Sequence, residues 1–145
     1  MKGMLKVVLD TNILLSSISR KSPYSYILTA LFENKYELYV STEILLEYEE
    51  KIITIFDAQV AETLISALLM RSNVKKIEPY FDLHLIKNDI DDNKFVNCAF
   101  AGNVHFLVSN DKHFNILKTT PFPKIPLLSI TEFFKQITYS EQNPD

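Results

Sequence analysis

Short apolar runs alternate with amphipathic segments along the whole chain, and this alternation predicts an α/β fold. Five runs have the apolar, partly β-branched character of buried parallel strands, at residues 5–9, 36–40, 74–77, 105–108 and 126–128. Residues at helical spacing predict helices at about residues 26–33, 43–56, 58–72, 93–100, 112–117 and 132–137. Residues 16–23 are predicted to be a polar loop. We therefore expect a three-layer α/β/α sandwich with a five-stranded parallel sheet.

The first predicted strand, residues 5–9, ends abruptly in the polar residues Asp10, Thr11 and Asn12. A buried parallel strand has this pattern when it delivers polar groups to the carboxyl edge of a sheet, where ligands bind. The same three residues also suit a turn or a helix N-cap. This stretch alone therefore leaves both interpretations open.

The fourth predicted strand has the same design, because Ser109, Asn110 and Asp111 follow it directly. If the fourth strand lies beside the first, Asp10 and Asp111 face each other across a topological switch point of the sheet. His113 follows shortly afterwards and is expected to be a solvated surface residue.

The densest acidic cluster, residues 88–93, runs into a predicted helix. Projected back by one turn, Asp92 falls on the helix face that should meet the sheet, where a carboxylate needs a partner. Alternatively, Asp92 is only the N-cap of this helix and needs no metal ion. Asp89 and Asp91 are expected to be loop charges.

The helix predicted at residues 43–56 places Glu47 and Glu49 at the two borders of its apolar face. A carboxylate at a border can lean over the sheet edge and reach a site there. Glu43 and Glu50 lie nearly opposite the apolar face and are expected to be solvated. The next predicted helix has a broad apolar stripe, so the two helices should form a hairpin that packs on the core or meets a partner.

Composition fits one globular domain. The chain has 145 residues, 47% of them hydrophobic, and we expect a domain over residues 1–138 with a polar tail over residues 139–145. Cys98, the single cysteine, fits a packing role in a reducing cytoplasm. The first apolar stretch is too short for a signal peptide or a membrane span, so a soluble, cytoplasmic protein is expected. The net charge of −3 argues against a large nonspecific nucleic-acid surface.

The chain resembles the PIN-domain nucleases from residue 7 to about residue 134. Each matching stretch is short, but their order and spacing are specific together: Leu9–Leu14, Ser22–Pro23, Val40–Glu47, Asp91–Ala99 and Leu107–Asp111. It is most similar to the bacterial and archaeal branch described as toxins of toxin–antitoxin systems, which are relatives of VapC-like ribonucleases.

This resemblance implies a strand order of 3-2-1-4-5 and an acidic pocket that holds one or two Mg²⁺ or Mn²⁺ ions for endonuclease action on RNA. It also implies a small antitoxin as a protein partner, and a homodimer or a higher homo-oligomer. The family's acids fall on Asp10, Glu47, Asp92 and Asp111, and its pocket-shaping polar positions fall on Asn12 and Ser109.

Two positions depart from the family's pattern. Asn88 stands where this branch usually has an arginine, so a basic residue near the pocket is missing. Asn110 replaces the commoner glycine before Asp111 and puts a side chain beside the fourth acid. Neither change removes a ligand, but both are expected to alter substrate access.

Four carboxylates in one pocket repel each other and raise one another's pKa unless cations neutralise them, and hard oxygen ligands select Mg²⁺ or Mn²⁺. We therefore expect metal-assisted hydrolysis of RNA phosphodiester bonds, with Asp10 and Asp92 as the best direct ligands. Asp111 is a further candidate ligand, and Glu47 either ligates a second ion or orients other groups. The candidates for holding RNA phosphates are Arg20, Lys21, Lys94 and Lys112.

Two other classes of protein compete with this hypothesis. A haloacid-dehalogenase-like phosphatase also has an aspartate after its first strand, but its chemistry needs a second aspartate where this chain has Asn12. A PIN-fold interaction module would leave the acidic pocket idle and use the helical hairpin to hold a partner. Nuclease activity that depends on Asp10 distinguishes the nuclease from this module.

Overall fold

The computed structural model describes residues 3–142, and it describes side chains from residue 3 to residue 139. The strands are β1 (Leu5–Leu9), β2 (Tyr36–Val40), β3 (Val74–Lys76), β4 (Phe106–Val108) and β5 (Leu127–Leu128). The helices are α1 (Thr11–Ile18), α2 (Tyr26–Phe32), α3 (Thr42–Ile55), α4 (Ala58–Leu69), α5 (Asn93–Ala101) and α6 (Ile130–Gln142). Two short 3-10 helices span Ile90–Asp92 and Lys112–Lys118.

The five strands form one parallel sheet in the order β3-β2-β1-β4-β5. The central strand is β1, whose Val7 is paired with Leu38 of β2 and with Phe106 of β4. Leu9, the last residue of β1, is paired with Val108, the last residue of β4. The segments that leave these two strands therefore start side by side. Both the predicted parallel sheet and the strand order implied by the resemblance are confirmed.

Helices cover both faces of this sheet. Successive side chains of a strand point to opposite faces, so Tyr36 and Tyr39 of β2 lie on opposite sides of the sheet. The Tyr36 hydroxyl donates a hydrogen bond of 2.7 Å to the Ile27 carbonyl of α2, and its ring packs edge-on against Phe133 of α6. The Tyr39 ring lies against Gly102, which ends α5, so closely that a Cβ on this glycine would meet the ring at 2.6 Å. The sheet is therefore the middle layer of three.

The central strand is buried on both faces, which explains why its sequence is a continuous apolar run. Val7, Val8 and Leu9 have no exposed surface. Cys98 of α5 is also fully buried, and burial raises the pKa of its thiol to about 12. A thiol held neutral in this way is suited to packing rather than to nucleophilic chemistry.

Residues 16–18, which the sequence predicted to be loop, belong to α1. Serine side chains compete with helical hydrogen bonding, and this pattern favoured the loop. In the structure the Ser16 hydroxyl donates to the Asn12 carbonyl at 2.8 Å and the Ser17 hydroxyl donates to the Leu14 carbonyl at 2.6 Å. Both serines are therefore satisfied inside the helix that follows β1.

The last helix starts earlier and ends later than predicted. Its N-terminus is a capping box in which Ser129 Oγ accepts from the Glu132 backbone NH at 3.1 Å and Glu132 Oε1 accepts from the Ser129 NH at 2.8 Å. The helix ends at Gln142, so part of the predicted tail is helical, and residues 143–145 lie outside the described residues.

In the part of the chain that is described, no helix has the length and apolar character needed to cross a membrane.

Candidate active site

The site lies at the carboxyl edge of the sheet, where β1 and β4 end beside each other. The Asp10 backbone NH donates to the Val108 carbonyl at 3.0 Å and thereby extends the pairing of the two strands by one residue. Ser109 Oγ donates to Asp10 Oδ2 at 2.7 Å and accepts from the Asp111 backbone NH at 2.9 Å. The Ser109 hydroxyl therefore links the two acids that follow the central strands.

Asp10 is a buried acid, and no cation among the side chains of residues 3–139 forms an ion pair with it. Only 6% of its surface is exposed, and this burial raises the pKa of its carboxyl group. Hydrogen bonds from Ser109 and the Thr11 backbone oppose the rise in pKa, whereas the charges of Asp111 and Glu47 add to it. The ionised form is thus held at a cost in free energy, which a bound cation would relieve.

Glu47 reaches the same edge from α3. The hydroxyl of the neighbouring Tyr48, which is fully buried, donates to the carbonyl of Leu9 at 2.6 Å and fixes α3 against the end of β1. The Glu47 carboxylate accepts a hydrogen bond from the Thr11 hydroxyl. Glu49, the other border residue that the sequence offered, is exposed. The helix therefore delivers Glu47 to the site.

Lys94 lies within the acidic cluster rather than on its rim. Its Nζ is 2.6 Å from Glu47 and 3.0 Å from Asp91, and only 9% of its side chain is exposed. Burial alone lowers the pKa of the Lys94 ammonium, but the hydrogen bonds with Glu47 and Asp91 outweigh this effect and raise the pKa. The structure therefore places this lysine as an ion-pair partner of two acids, while its sequence-based role in holding RNA stays a prediction.

Asp92 does not act as a side-chain cap of α5. It occupies the N-cap position of α5, as one interpretation of the sequence expected, but its carboxylate makes no capping hydrogen bond. Its Oδ2 instead lies 3.3 Å from His113 Nδ1. The segment that carries Asp92 is held by Asn93, whose amide nitrogen donates to the Ile86 carbonyl at 2.9 Å and whose Oδ1 accepts from the Ile86 NH at 2.8 Å.

Several neighbouring acids affect the ionisation of Asp92. Burial raises the pKa of its carboxyl group to about 6, and the charge of Asp89 contributes next. The contact with His113 lowers the pKa, while the charges of Asp10 and Asp111 raise it further. The charges of Asp10 and Asp111 therefore act on the carboxyl group of Asp92, and the charges of Asp111 and Glu47 act on that of Asp10.

Asp111 starts the second 3-10 helix, where its Oδ1 accepts from the His113 backbone NH at 2.9 Å. The same oxygen lies 3.4 Å from His113 Nδ1, so the imidazole touches both Asp111 and Asp92. Sequence reasoning expected His113 to be solvated, whereas its side chain is 31% exposed and faces the cluster. Its position two residues after the acid of a strand-end motif was the signal that could have found it.

Four further residues that the sequence proposed for the site are all exposed. Asn12 is exposed on α1, Arg20 and Lys21 are exposed between α1 and α2, and Lys112 is exposed beside Asp111.

Asp89, expected to be a loop charge, caps the first 3-10 helix by accepting a hydrogen bond of 3.2 Å from the Asp91 NH. One ligand atom each from Asp89, Asp92 and His113 lies within 4.8 Å of the others.

The donor set fits a divalent metal ion. Carboxylate oxygens are the ligands that Mg²⁺ and Mn²⁺ prefer, and burial together with neighbouring acids raises the pKa of Asp10 and of Asp92. Asp10 and Asp92 are the acids that burial penalises, so they would gain most from a bound ion.

Comparison of the sequence with protein families agrees with this geometry. A model described as PIN domain matches residues 6–113, which include all four acids of the site. The chain belongs to the PIN-domain family. A comparison with curated protein sequences finds no match.

Solved structures of other PIN-fold proteins share this fold at low sequence identity. A chain of VapBC2 from Rickettsia felis, bound to a DNA fragment from its promoter, is 17% identical with a TM-score of 0.60, over 86% of this chain and 98% of that one. A chain of VapBC-1 from nontypeable Haemophilus influenzae is 16% identical with a TM-score of 0.58, over 88% and 99%. A chain of DNA-bound VapBC from Salmonella typhimurium is 18% identical with a TM-score of 0.57, over 88% and 99%.

Proposed function

We propose that this PIN-domain protein is a metal-dependent endoribonuclease that hydrolyses RNA phosphodiester bonds. The observation that carries the proposal is the convergence of Asp10, Glu47, Asp92 and Asp111 at one sheet edge, where the buried Asp10 and the partly buried Asp92 have raised pKa values. An interaction module has no need to keep uncompensated acids buried at a cost in stability.

Asp10 and Asp92 are the residues we assign as direct ligands, with Asp111 as a third candidate. Mg²⁺ or Mn²⁺ bound there would stabilise negative charge on the phosphate and make a water molecule a better nucleophile. The Ser109 hydroxyl fixes the orientation of the Asp10 carboxylate. Lys94 neutralises Glu47 through its 2.6 Å contact, so this glutamate would position neighbouring groups rather than add a free negative charge.

Cations must hold the RNA phosphates over a site that is itself acidic. Arg20, Lys21 and Lys112 are exposed, and we assign them this role. Lys112 directly follows Asp111, so a phosphate at the metal site would come near its side chain. Lys94 is already paired with two acids and is the weakest of the four candidates.

Purified protein should cleave a mixed pool of RNA in the presence of Mn²⁺ or Mg²⁺ and should stop when EDTA removes the metal. The reason is that the site holds an excess of carboxylates, which repel phosphate unless a cation intervenes. Gel analysis of the RNA products measures the effect, and re-addition of Mn²⁺ after EDTA serves as the control. Cleavage that persists in EDTA would contradict the proposal, and a wild-type protein that cuts nothing would favour the interaction module.

We further propose that the protein is the toxin of a type II toxin–antitoxin pair and that a small antitoxin holds it. An apolar groove of about 440 Å³ between α2 and α4 provides a surface for an amphipathic helix of such a partner. Its apolar lining includes Leu28, Phe32, Val60, Leu64 and Ala67. The structural neighbours are chains of VapBC complexes, which supports a partner of this kind.

A small protein encoded next to this chain should co-purify with it and suppress RNA cleavage. Thr63→Arg places a bulky cation in the groove and is expected to weaken the complex by at least about tenfold, because it blocks apolar contact. Ser66→Arg adds the same charge on the exposed surface of α4 and is the matched control. Isothermal titration measures both affinities. If no adjacent product binds, the toxin role fails while the nuclease chemistry stands.

A further inference from the structure

We propose that the metal centre of this protein includes a nitrogen ligand, His113, together with Asp89 and Asp92. The inference rests on the proposed metal-dependent function and adds two residues to the four acids. One candidate ligand atom from each of the three side chains lies within 4.8 Å of the other two. In the following we call these three residues the mixed-donor site.

Two separate segments hold the mixed-donor site in place: Asp89 and Asp92 belong to the first 3-10 helix and its cap, and His113 belongs to the second 3-10 helix. Asp92 directly precedes α5, in a segment that Asn93 ties to Ile86. Asp89 caps the first 3-10 helix with one carboxylate oxygen, which leaves its other oxygen available. His113 is fixed by its backbone NH on Asp111 at 2.9 Å. The donors are therefore positioned by the fold before any ion binds, which favours binding.

The spacing of these atoms suits ligands of one ion better than it suits hydrogen bonds. His113 Nδ1 lies 3.3 Å from Asp92 Oδ2 and 3.4 Å from Asp111 Oδ1. Both distances are long for a charge-assisted hydrogen bond, which is typically about 2.7–2.9 Å. Two ligands that each lie about 2.1 Å from one ion are separated by about 3.0–3.4 Å. The contact inside the mixed-donor site, between His113 Nδ1 and Asp92 Oδ2, has this separation.

The charge around the imidazole also favours a cation. His113 lies near three carboxylates, those of Asp89, Asp92 and Asp111. Among residues 3–139, Asp92 and Asp111 each form an ion pair with His113. The nearby lysine, Lys94, is engaged by Glu47 and Asp91. A single imidazole neutralises only part of the negative charge of these three carboxylates. A divalent ion bound there would neutralise more of it.

A nitrogen donor changes which metal the site prefers. Mg²⁺ prefers oxygen ligands and gives up its bound water molecules reluctantly. Imidazole binds Mn²⁺ better than it binds Mg²⁺, and it binds the later first-row metals more strongly still. We therefore expect Mn²⁺ to bind more tightly than Mg²⁺ and His113 to be responsible for part of the difference. This selectivity distinguishes the mixed-donor site from a site made of carboxylates alone.

The experiment uses Mn²⁺ alone with the full-length protein and no RNA. Pulsed electron paramagnetic resonance of bound Mn²⁺ should detect coupling to an imidazole nitrogen in the wild type and not in His113→Gln. Titration should give a Mn²⁺ affinity at least about tenfold weaker in His113→Gln, and Asp89→Asn should weaken it while keeping the nitrogen coupling. His105→Gln removes an imidazole at the start of β4, remote from the cluster in the fold, and is the control expected to bind like the wild type.

Each result decides the proposal. It is overturned if wild-type protein binds Mn²⁺ without nitrogen coupling, if the coupling survives in folded His113→Gln, or if Mn²⁺ does not bind. Circular dichroism of the variants establishes that they are folded. RNA cleavage is measured separately, so metal-dependent cleavage without nitrogen coupling would remove the mixed-donor site alone. Nitrogen coupling in a protein that cuts no RNA would instead remove the proposed nuclease function.

Discussion

Asp10→Asn is expected to abolish RNA cleavage and, at the same time, to raise the melting temperature of the metal-free protein. Loss of a direct metal ligand removes several kcal/mol of transition-state stabilisation, so the rate should fall by at least about 10²-fold. The stability should move in the opposite direction because burial raises the pKa of this carboxyl group. An acid with a raised pKa destabilises the folded state once it ionises, and a neutral amide does not carry that cost.

The two effects are measured by single-turnover cleavage of a labelled RNA and by thermal unfolding in EDTA at pH 7.5. Asp57→Asn is the matched control, because it makes the same change at an exposed helix cap where asparagine also serves. It should leave both the cleavage rate and the melting temperature close to those of the wild type. An Asp10→Asn protein that cuts RNA at the wild-type rate would exclude Asp10 from the active site.

The two strand-end acids were predictable from sequence because their positions follow from local patterns. An apolar run that stops at a carboxylate places Asp10 at the carboxyl edge of a parallel sheet, and the same pattern places Asp111. The register of β1 and β4, which pairs Leu9 with Val108, then brings these acids together. The strand order itself required the family resemblance, since the local patterns do not determine which strands are neighbours.

The pairings of Lys94 with Glu47 and of His113 with Asp92 were not predictable, because each joins segments that are distant in the sequence. Lys94 contacts Glu47 across two helices, whereas the sequence made it a candidate for holding RNA phosphates. His113 meets Asp92 only because the turn after β4 folds over the start of α5. For Asp92, the sequence allowed both an N-cap and an inward-facing acid, and the structure has it at the N-cap position with its carboxylate on His113 instead of on the helix backbone. Side-chain pairing across elements is tertiary information that a single sequence does not encode locally.

A consequence of this pairing is that the site has unequal charge compensation. Glu47 is neutralised by Lys94, whereas Asp10 has hydrogen bonds from Ser109 and Thr11 but, within the described part of the chain, no ion-pair partner. Asp92 has an imidazole that is charged only when it is protonated. A bound cation would therefore relieve most charge on the side of Asp10 and Asp92, which is why these two acids have the largest expected effects of substitution.

In the metal-free protein, Asp92→Asn should be more stable than the wild type at pH 7.5, and the difference should disappear by about pH 4. The pKa of the Asp92 carboxyl group is raised to about 6, compared with about 3.9 for an unfolded chain. The folded state therefore binds a proton more readily than the unfolded state. The stability contributed by the protonated acid is present in full below about pH 4 and is lost as the pH rises through about 6.

A pKa difference of about two units corresponds to about 2–3 kcal/mol of unfolding free energy at pH 7.5, and partial solvent access makes about 2 kcal/mol the expected value. Urea unfolding of both proteins in EDTA, at intervals from pH 4 to 8, measures the difference and cancels the effects of other acids. Saturating Mn²⁺ should reverse the order at pH 7.5, because a ligand that binds the folded wild type stabilises it and the variant has lost that binding. A stability difference that does not change with pH would show that Asp92 has an ordinary pKa and no uncompensated charge for a metal ion to relieve.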